Sequence, residues 1–342
     1  MSQASRQKPR ADLAIDLGST HTRIFSRQQQ TLLQEPTVVA ISHNGRKAPE
    51  VVAIGQEALA MWGRTPPGTT VVRPVKNGLV VDFESAELFL ATLLKRSGLR
   101  GLRKPRVVLA VPEGQQESQR RALQHSVGSV GIRLTHLVSM SQVAALGAEL
   151  PIMKPMGNMI VDIGGGRTEA AVISLGGLVV HRSSLVAGDA MNEAIMEWAK
   201  EQYELSISSV NAEKIKRQVG SAAVYGTELH LMVRGRDLQS GGLKEMVVSS
   251  SDAAEALEGP MGSIAELVVD TLKHTPPELA ADLYDRGLIL CGGGSLLRGL
   301  DERLRNATGM PVLRVEEPQA CVVHGLDRLL SDPELFDWLA CA

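Results

Sequence analysis

Runs of apolar and polar residues alternate along the chain and predict strands and helices in repeated succession. "DLAIDLG" (residues 12–18) reads as a buried strand that turns into "TRIFS", and the hairpin is expected to continue to "TVVAISH". "SAELFLATLLKRSG" carries apolar residues at helical spacing and predicts a helix ending on Gly98. "RVVLAVPEG" is a short buried strand, and the polar run "QQESQRRALQHSVGSVG" after it is a helix. The pattern restarts at "NMIVDIGGG" (158–166), followed by strands in "EAAVISLGGLVVHRSSLV". Helices are expected in "DAMNEAIMEWAKEQY" and "NAEKIKRQVGSA", and strands around "ELHLMVRG" and "LKEMVVSSS". "SDAAEALEGPMGSIAELVVDTLKH" predicts a helix interrupted near Pro260. "RGLILCGGGSLLRGLDERL" reads as strand, glycine turn and helix. Such alternation marks an α/β architecture.

Two of these segments repeat one order of residue types: an apolar run, an aspartate, an apolar residue, a glycine, small or hydroxyl residues, a threonine and a second apolar run. The first copy spans "DLAIDLGSTHTRIFS" and the second "NMIVDIGGGRTEAAVIS". "LILCGGG" also corresponds in position to "VVLAVPEG". The chain therefore reads as a duplicated α/β domain with a cleft between its halves.

Composition narrows the class. A length of 342 residues fits two medium domains. With only 3% aromatics, the core must rest on Leu, Val, Ile and Ala. A net charge of -2 gives no global drive toward nucleic acid. Cys291, Cys321 and Cys341 form no Cys-x-x-Cys pair, which argues against a disulfide framework or a zinc site. No apolar stretch reaches the roughly 18 residues of a membrane span. "MSQASRQKPR" has no apolar core, so a basic arm rather than a secretory signal is expected, in a cytosolic protein.

The glycine turns are the candidate chemistry. Backbone N–H groups can close on a phosphate only where glycine or small residues allow the approach. Gly18, Ser19 and Thr20 in one turn and Gly164, Gly165 and Gly166 in the other would clamp a polyphosphate from two sides. Asp16 and Asp162, at the strand ends, suit Mg²⁺ held through water, because a hard cation prefers oxygen and keeps much of its hydration. An isolated turn of this kind would be a plain hairpin; two copies with matching aspartate and threonine favour the phosphate reading. The third turn, "CGGGSLL" (291–297), packs against a nucleotide or serves as a tight strand-to-helix connection. Neither a Walker lysine motif nor a dinucleotide fingerprint is present.

The paired "DLGST" and "DIGGGRTE" turns with "LCGGGSLL" resemble the actin, sugar kinase and heat-shock chaperone ATPase superfamily. Within it, "GRTPPGTTVVRPVKNGLVVDF", "AGDAMNEAI", "AEKIKRQVGSA" and "PPELAADLYDRGLILCGGGSLLRGL" resemble the MreB bacterial actins over almost the whole chain. The resemblance implies an actin-like α/β fold of four subdomains around a nucleotide cleft. Residues 12–144 would form domain I with an insertion at about 33–70, and 145–314 domain II with an insertion at about 182–250. Residues 315–342 would return to domain I, after an arm at 1–11. It further implies ATP with Mg²⁺, met by Ser19, Thr20 and His21 from the first turn and by Gly165, Gly166, Arg167 and Thr168 from the second. Glu213, Lys214 and Lys216 would lie on the adenosine side, and Gly293, Gly294, Ser295 and Leu296 would close over the nucleotide. Read without the family, the "AEKIK" charges are a solvated helix face.

Departures from the family pattern matter for activity. The glutamate that helps activate the attacking water falls on Met140, whose thioether neither accepts a proton nor orients water strongly. Gln142 is a possible substitute, shifted by two positions. Arg167 stands where the family usually has threonine and His21 where it has asparagine; Arg167 either contacts a phosphate or points into solvent. These departures imply a divergent member with weak ATPase activity at most.

The implied role is a nucleotide-dependent filament at the cytoplasmic face of the cell membrane. Its partners would be other copies, other MreB-type subunits and membrane proteins of cell elongation. In "KRSGLRGLRKPR" (95–106), Leu99 and Leu102 among arginines are a candidate peripheral membrane contact or a solvated basic turn. No specific nucleic-acid binding is expected. A small-molecule kinase, a chaperone ATPase and a non-polymerising or hydrolysis-poor regulator that co-assembles with a standard MreB are the other classes considered.

Overall fold

The computed structural model describes residues 12–27, 29, 31–43, 49–96, 105–223 and 227–340. They gather into two compact units, one of residues up to Leu150 together with those from Cys321 onward, the other Pro151–Ala320. The changes of unit fall a few residues after the expected 144/145 and 314/315.

In the first unit, β1 (Leu13–Leu17), β2 (His21–Ser26) and β3 (Thr31–Pro36) run antiparallel in turn. After β3 come β4 (Val39–Ser42), β5 (Glu50–Ile54) and β6 (Thr69–Val72), a separate three-stranded sheet in the order β5-β4-β6, with α1 (Gly55–Ala60) beside it. "TVVAISH" therefore does not extend the first hairpin as expected. Pro36 has no N–H to carry the ladder onward, and Thr37 turns back to give its N–H to Thr20 O at 2.9 Å. A short hairpin, β7 (Val75–Lys76) and β8 (Leu79–Val80), leads into α2 (Phe83–Arg96). Gly98, its expected end, lies outside the described residues. Then follow β9 (Arg106–Val111), α3 (Glu117–Ser129), β10 (Arg133–Ser139) and α4 (Met140–Gly147). The main sheet has the order β10-β9-β1-β2-β3, with β1, β9 and β10 parallel. All five residues of β1 are buried, as its central place requires.

The second unit repeats this plan with β11 (Asn158–Ile163), β12 (Thr168–Ser174) and β13 (Gly177–Ser184). Helices α5 (Gly188–Tyr203) and α6 (Ser209–Gln218) surround β14 (Leu205–Ser206), which joins β15 (His230–Asp237) and β16 (Leu243–Ser249) in a small sheet. After α7 (Ser250–Lys273) and α8 (Pro277–Arg286) come β17 (Leu288–Cys291), α9 (Leu300–Thr308) and β18 (Val312–Arg314). The main sheet, β18-β17-β11-β12-β13, has the strand order of the first. Here β17 takes the place of β9, as the pairing of "LILCGGG" with "VVLAVPEG" predicts.

The expected break at Pro260 is absent, and α7 is one helix of 24 residues. A proline inside a helix costs about 3 kcal/mol, but Ala253, Leu257, Met261, Ile264 and Val268 on the same helix are fully buried. Burial of that stripe at about 25 cal/mol per Å² outweighs one lost hydrogen bond.

The first unit is completed by α10 (Cys321–Ser331) and α11 (Pro333–Ala340). Helix α10 crosses α4 backbone to backbone: a Cβ on Gly325 would overlap Val143 O, and one on Gly147 would overlap Cys321 O.

Candidate functional site

The first turn is closed by Gly18 N donating to His21 O at 3.1 Å, and a Cβ at Gly18 would lie 2.8 Å from that oxygen. Thr37 Oγ1 donates to Gly18 O at 2.7 Å and meets the buried Thr22 hydroxyl at 2.9 Å. The buried Ser19 hydroxyl accepts from Gly78 N at 2.8 Å. Asn77 and Gly78 have φ of 54° and 74°, the tight hairpin turn that Asn-Gly favours, so Ser19 anchors the turn to the β7–β8 hairpin. Thr20 Oγ1, by contrast, is buried without a hydrogen-bond partner among the described residues. Buried hydroxyls rarely stay unpaired, and this one fits an oxygen-rich ligand.

Asp16 and Arg23 face each other across β1 and β2, with Nη1 3.3 Å from Oδ2, and both are buried. Burial raises the Asp16 pKa, and the Arg23 charge opposes that rise without cancelling it.

The second turn has the same geometry, with Gly164 N donating to Arg167 O at 2.9 Å. The buried Thr168, counterpart of Thr22, donates from Oγ1 to Val186 O at 2.8 Å. Arg167 lies along the neighbouring strand. Its Nη1 donates to Ser183 Oγ on β13 at 3.1 Å and lies 4.0 Å from the buried Glu169. Glu169 stands opposite Asp162 at the register that Arg23 holds opposite Asp16. His181 Nε2 is 3.8 Å from the same carboxylate. Burial, with the Arg167 and Arg182 charges, lowers the His181 pKa to about 4.

Helix α5 starts against the second turn, with Gly188 N donating to Gly164 O at 3.1 Å and Asp189 N to Gly165 O at 2.6 Å. Lys216 Nζ donates to Gly188 O at 2.8 Å and pairs with Glu213 at 2.6 Å. Glu213 also accepts from Asn192 Nδ2 at 2.9 Å. Burial alone would raise the Glu213 pKa; Lys216, Asn192 and Arg217 together hold it below the ordinary value. Lys214 is exposed on the other side of α6.

The third turn lies against the second. Gly292 has φ of +79°, and a Cβ there would overlap Asp162 Oδ1 and Ile163 O. A Cβ on Gly294 would overlap the Ile163 side chain. Gly293–Leu296 form a short 3₁₀ turn. Ser295 is fully buried and spends its hydroxyl on Gly292 O at 2.7 Å, while Leu296 is half exposed.

Asp162, the second turn, the third turn, Lys216 and Glu213 thus form one contiguous group in the second unit. The first unit holds Asp16, Gly18, Ser19, Thr20 and His21. Parallel pairing also brings the carboxyl ends of β1, β9 and β10 to one edge, so Met140, directly after Ser139, starts α4 at the same edge as Gly18. Ser139 caps α4 by accepting from Gln142 N at 3.2 Å. Gln142 is buried and lies about 200° around the helix from Met140, so its side chain addresses another face. Leu99 and Leu102 lie outside the described residues. Sequence reasoning passed over Arg23; its signal was a charge set between the motif threonine and the apolar Ile24 and Phe25.

Two five-stranded sheets of identical order, each opening on an Asp-x-Gly hairpin with a parallel strand at its side, define an actin-like protein. A family model described as MreB/Mbl protein matches residues 10–337, and the chain belongs to that family. It is 40% identical over 323 residues to the cell shape-determining protein MreB of Escherichia coli (strain K12), covering 94% of this chain and 93% of that protein. Identity to the cell shape-determining protein Mbl of Bacillus subtilis (strain 168) is 38% over 322 residues, covering 94% and 96%. Among solved structures, MreB 5 of Spiroplasma citri bound to AMPPNP matches with a TM-score of 0.89 and 32% identity, over 94% of this chain and 96% of that one. The MamK double helical filament shares the fold, with a TM-score of 0.77 at 22% identity over 94% and 98%.

Proposed function

We propose that this chain is a cell-shape cytoskeletal protein that binds ATP with Mg²⁺ and assembles into filaments at the cytoplasmic face of the cell membrane. The observation that carries the nucleotide reading is the matched pair of glycine hairpins, one with an orphaned buried hydroxyl at Thr20 and the other with Gly292 seated on Asp162. These features fit a polyphosphate with its metal. Asp16 and Asp162 each suit Mg²⁺ held through water, and the ion would neutralise phosphate charge. Backbone amides of the turns orient the phosphates, while Glu213 and Lys216 hold the start of α5 against the second turn and offer polar groups to the nucleoside. The structural relative bound to AMPPNP supports the same reading.

Hydrolysis is slow in this reading, because Met140 stands at the edge where a water-activating carboxylate is needed. Loss of a positioned base costs about 10² to 10⁴ in rate. Met140 also favours a second role, a hydrolysis-poor subunit that co-assembles with a standard MreB. Other copies, other MreB-type subunits and membrane proteins of cell elongation are the partners of this reading. High-speed sedimentation with ATP and Mg²⁺, with phosphate release followed in the same tube, tests it. Pelleting that needs ATP, with little phosphate released, is expected. Absence of pelleting at all protein concentrations and with added lipid would leave the co-assembling subunit.

A further inference from the structure

We propose that Arg23 is a nucleotide-binding residue: it meets phosphate oxygens from within the first hairpin and shares the Asp16 carboxylate with their metal ion. The site would then keep much of its affinity when magnesium is removed. This rests on the nucleotide reading above and assigns to it a residue that the glycine turns do not contain.

Arg23 is 8% exposed on β2, directly opposite Asp16. A guanidinium stripped of water needs acceptors in return, and it has five N–H donors to satisfy. The described residues offer it two acceptors, Gln34 Oε1 at 3.1 Å from Nε and Asp16 Oδ2 at 3.3 Å from Nη1. The ion pair is long for a charge-assisted bond, which closes to about 2.7–2.9 Å, and it is monodentate where forked pairing is common. Nη2 therefore remains for another anion. On the other side of Gly18, the Thr20 hydroxyl is buried without a partner. One turn thus carries a buried cation with donors to spare and an unsatisfied hydroxyl, and a group with several anionic oxygens completes both. In the second hairpin the matching register, opposite Asp162, is held by Glu169 instead. With the metal gone, Arg23 still keeps a positive charge beside the first turn.

The test is a titration of a fluorescent ADP analogue, read by anisotropy, into wild type, Arg23→Met and Arg23→Lys. Each is measured in magnesium and in EDTA, with inorganic phosphate as a competitor. Wild type is expected to weaken by less than about tenfold in EDTA. Arg23→Met should lose about 10- to 100-fold in EDTA, the range of one hydrogen bond to a charged group, and distinctly less in magnesium. Arg23→Lys, which keeps the charge but lacks the fork, should fall between them while melting like wild type, and it carries the test if the methionine variant does not fold. An Arg23→Met protein that binds as wild type does, or that loses the same factor with and without magnesium, overturns the proposal. So does a wild type that releases the analogue entirely in EDTA, or one from which inorganic phosphate displaces it at equal concentration. Wild type that binds no analogue even in magnesium would sink the nucleotide reading itself, and this inference with it.

Discussion

Gly292 sits on the carboxylate of Asp162, so close that a single added carbon would overlap Oδ1. Parallel pairing of β11 with β17 brings the third glycine turn down onto the aspartate of the second. A positive φ of 79° at that position further restricts the choice to glycine.

Gly292→Ala is therefore expected to displace the Asp162 side chain and strain the turn. Overpacking of this kind costs about 1–3 kcal/mol. A lowered melting temperature together with loss of nucleotide affinity is the predicted result; a variant that melts and binds as wild type does would contradict it.

Met140→Glu restores a carboxylate at the first residue of α4, where the helix dipole favours a negative charge. Stability should change little, and the rate of phosphate release should rise by about 10² or more. An unchanged rate would mean that something other than the missing carboxylate limits hydrolysis.

His181 gives the fold an acid weakness. Its pKa is about 4 in the folded chain, against an ordinary 6.5. Above 6.5 both states are neutral at this residue and it contributes nothing. As pH falls from 6.5 toward 4, the unfolded chain takes a proton that the folded one refuses, and stability is lost. At pH 5 this amounts to about 2 kcal/mol. Urea unfolding of wild type and His181→Gln at pH 7 and pH 5 checks it: the variant should lose less stability between the two, and equal losses would refute the assignment.

Pro260→Ala returns one N–H to the interior of α7 without touching its buried stripe. A gain of about 1–3 kcal/mol is expected, read as a raised melting temperature. A loss would show that the proline ring itself is a packing element.

What the sequence made legible was local. Asp16, Gly18 and Thr22, and their counterparts Asp162, Gly164 and Thr168, announce hairpins because turn chemistry lies within a few residues. The duplication followed from that repetition. The seating of Gly292 on Asp162 was not legible, because it depends on a strand pairing far along the chain. Nor was the direction of Arg167, which Ser183 on the neighbouring strand decides. Pro260 misled for the opposite reason: a strong local signal yielded to buried packing along the rest of the helix. Ser19 and Ser295 suited ligands by type, and the turn-holding bonds of their hydroxyls, to Gly78 and Gly292, were not legible beside that.

The close crossing of α4 and α10 has a consequence for how the protein is made. The second unit is one uninterrupted stretch, whereas the first lacks the helix that packs on Gly147 until residues from Cys321 onward have been added. The stretch that makes the second unit therefore precedes, along the chain, the two helices that complete the first. The half that starts the chain is the last to receive all its elements, and removal of the residues from Cys321 onward would strip Val143 and Gly147 of the helix that packs on them.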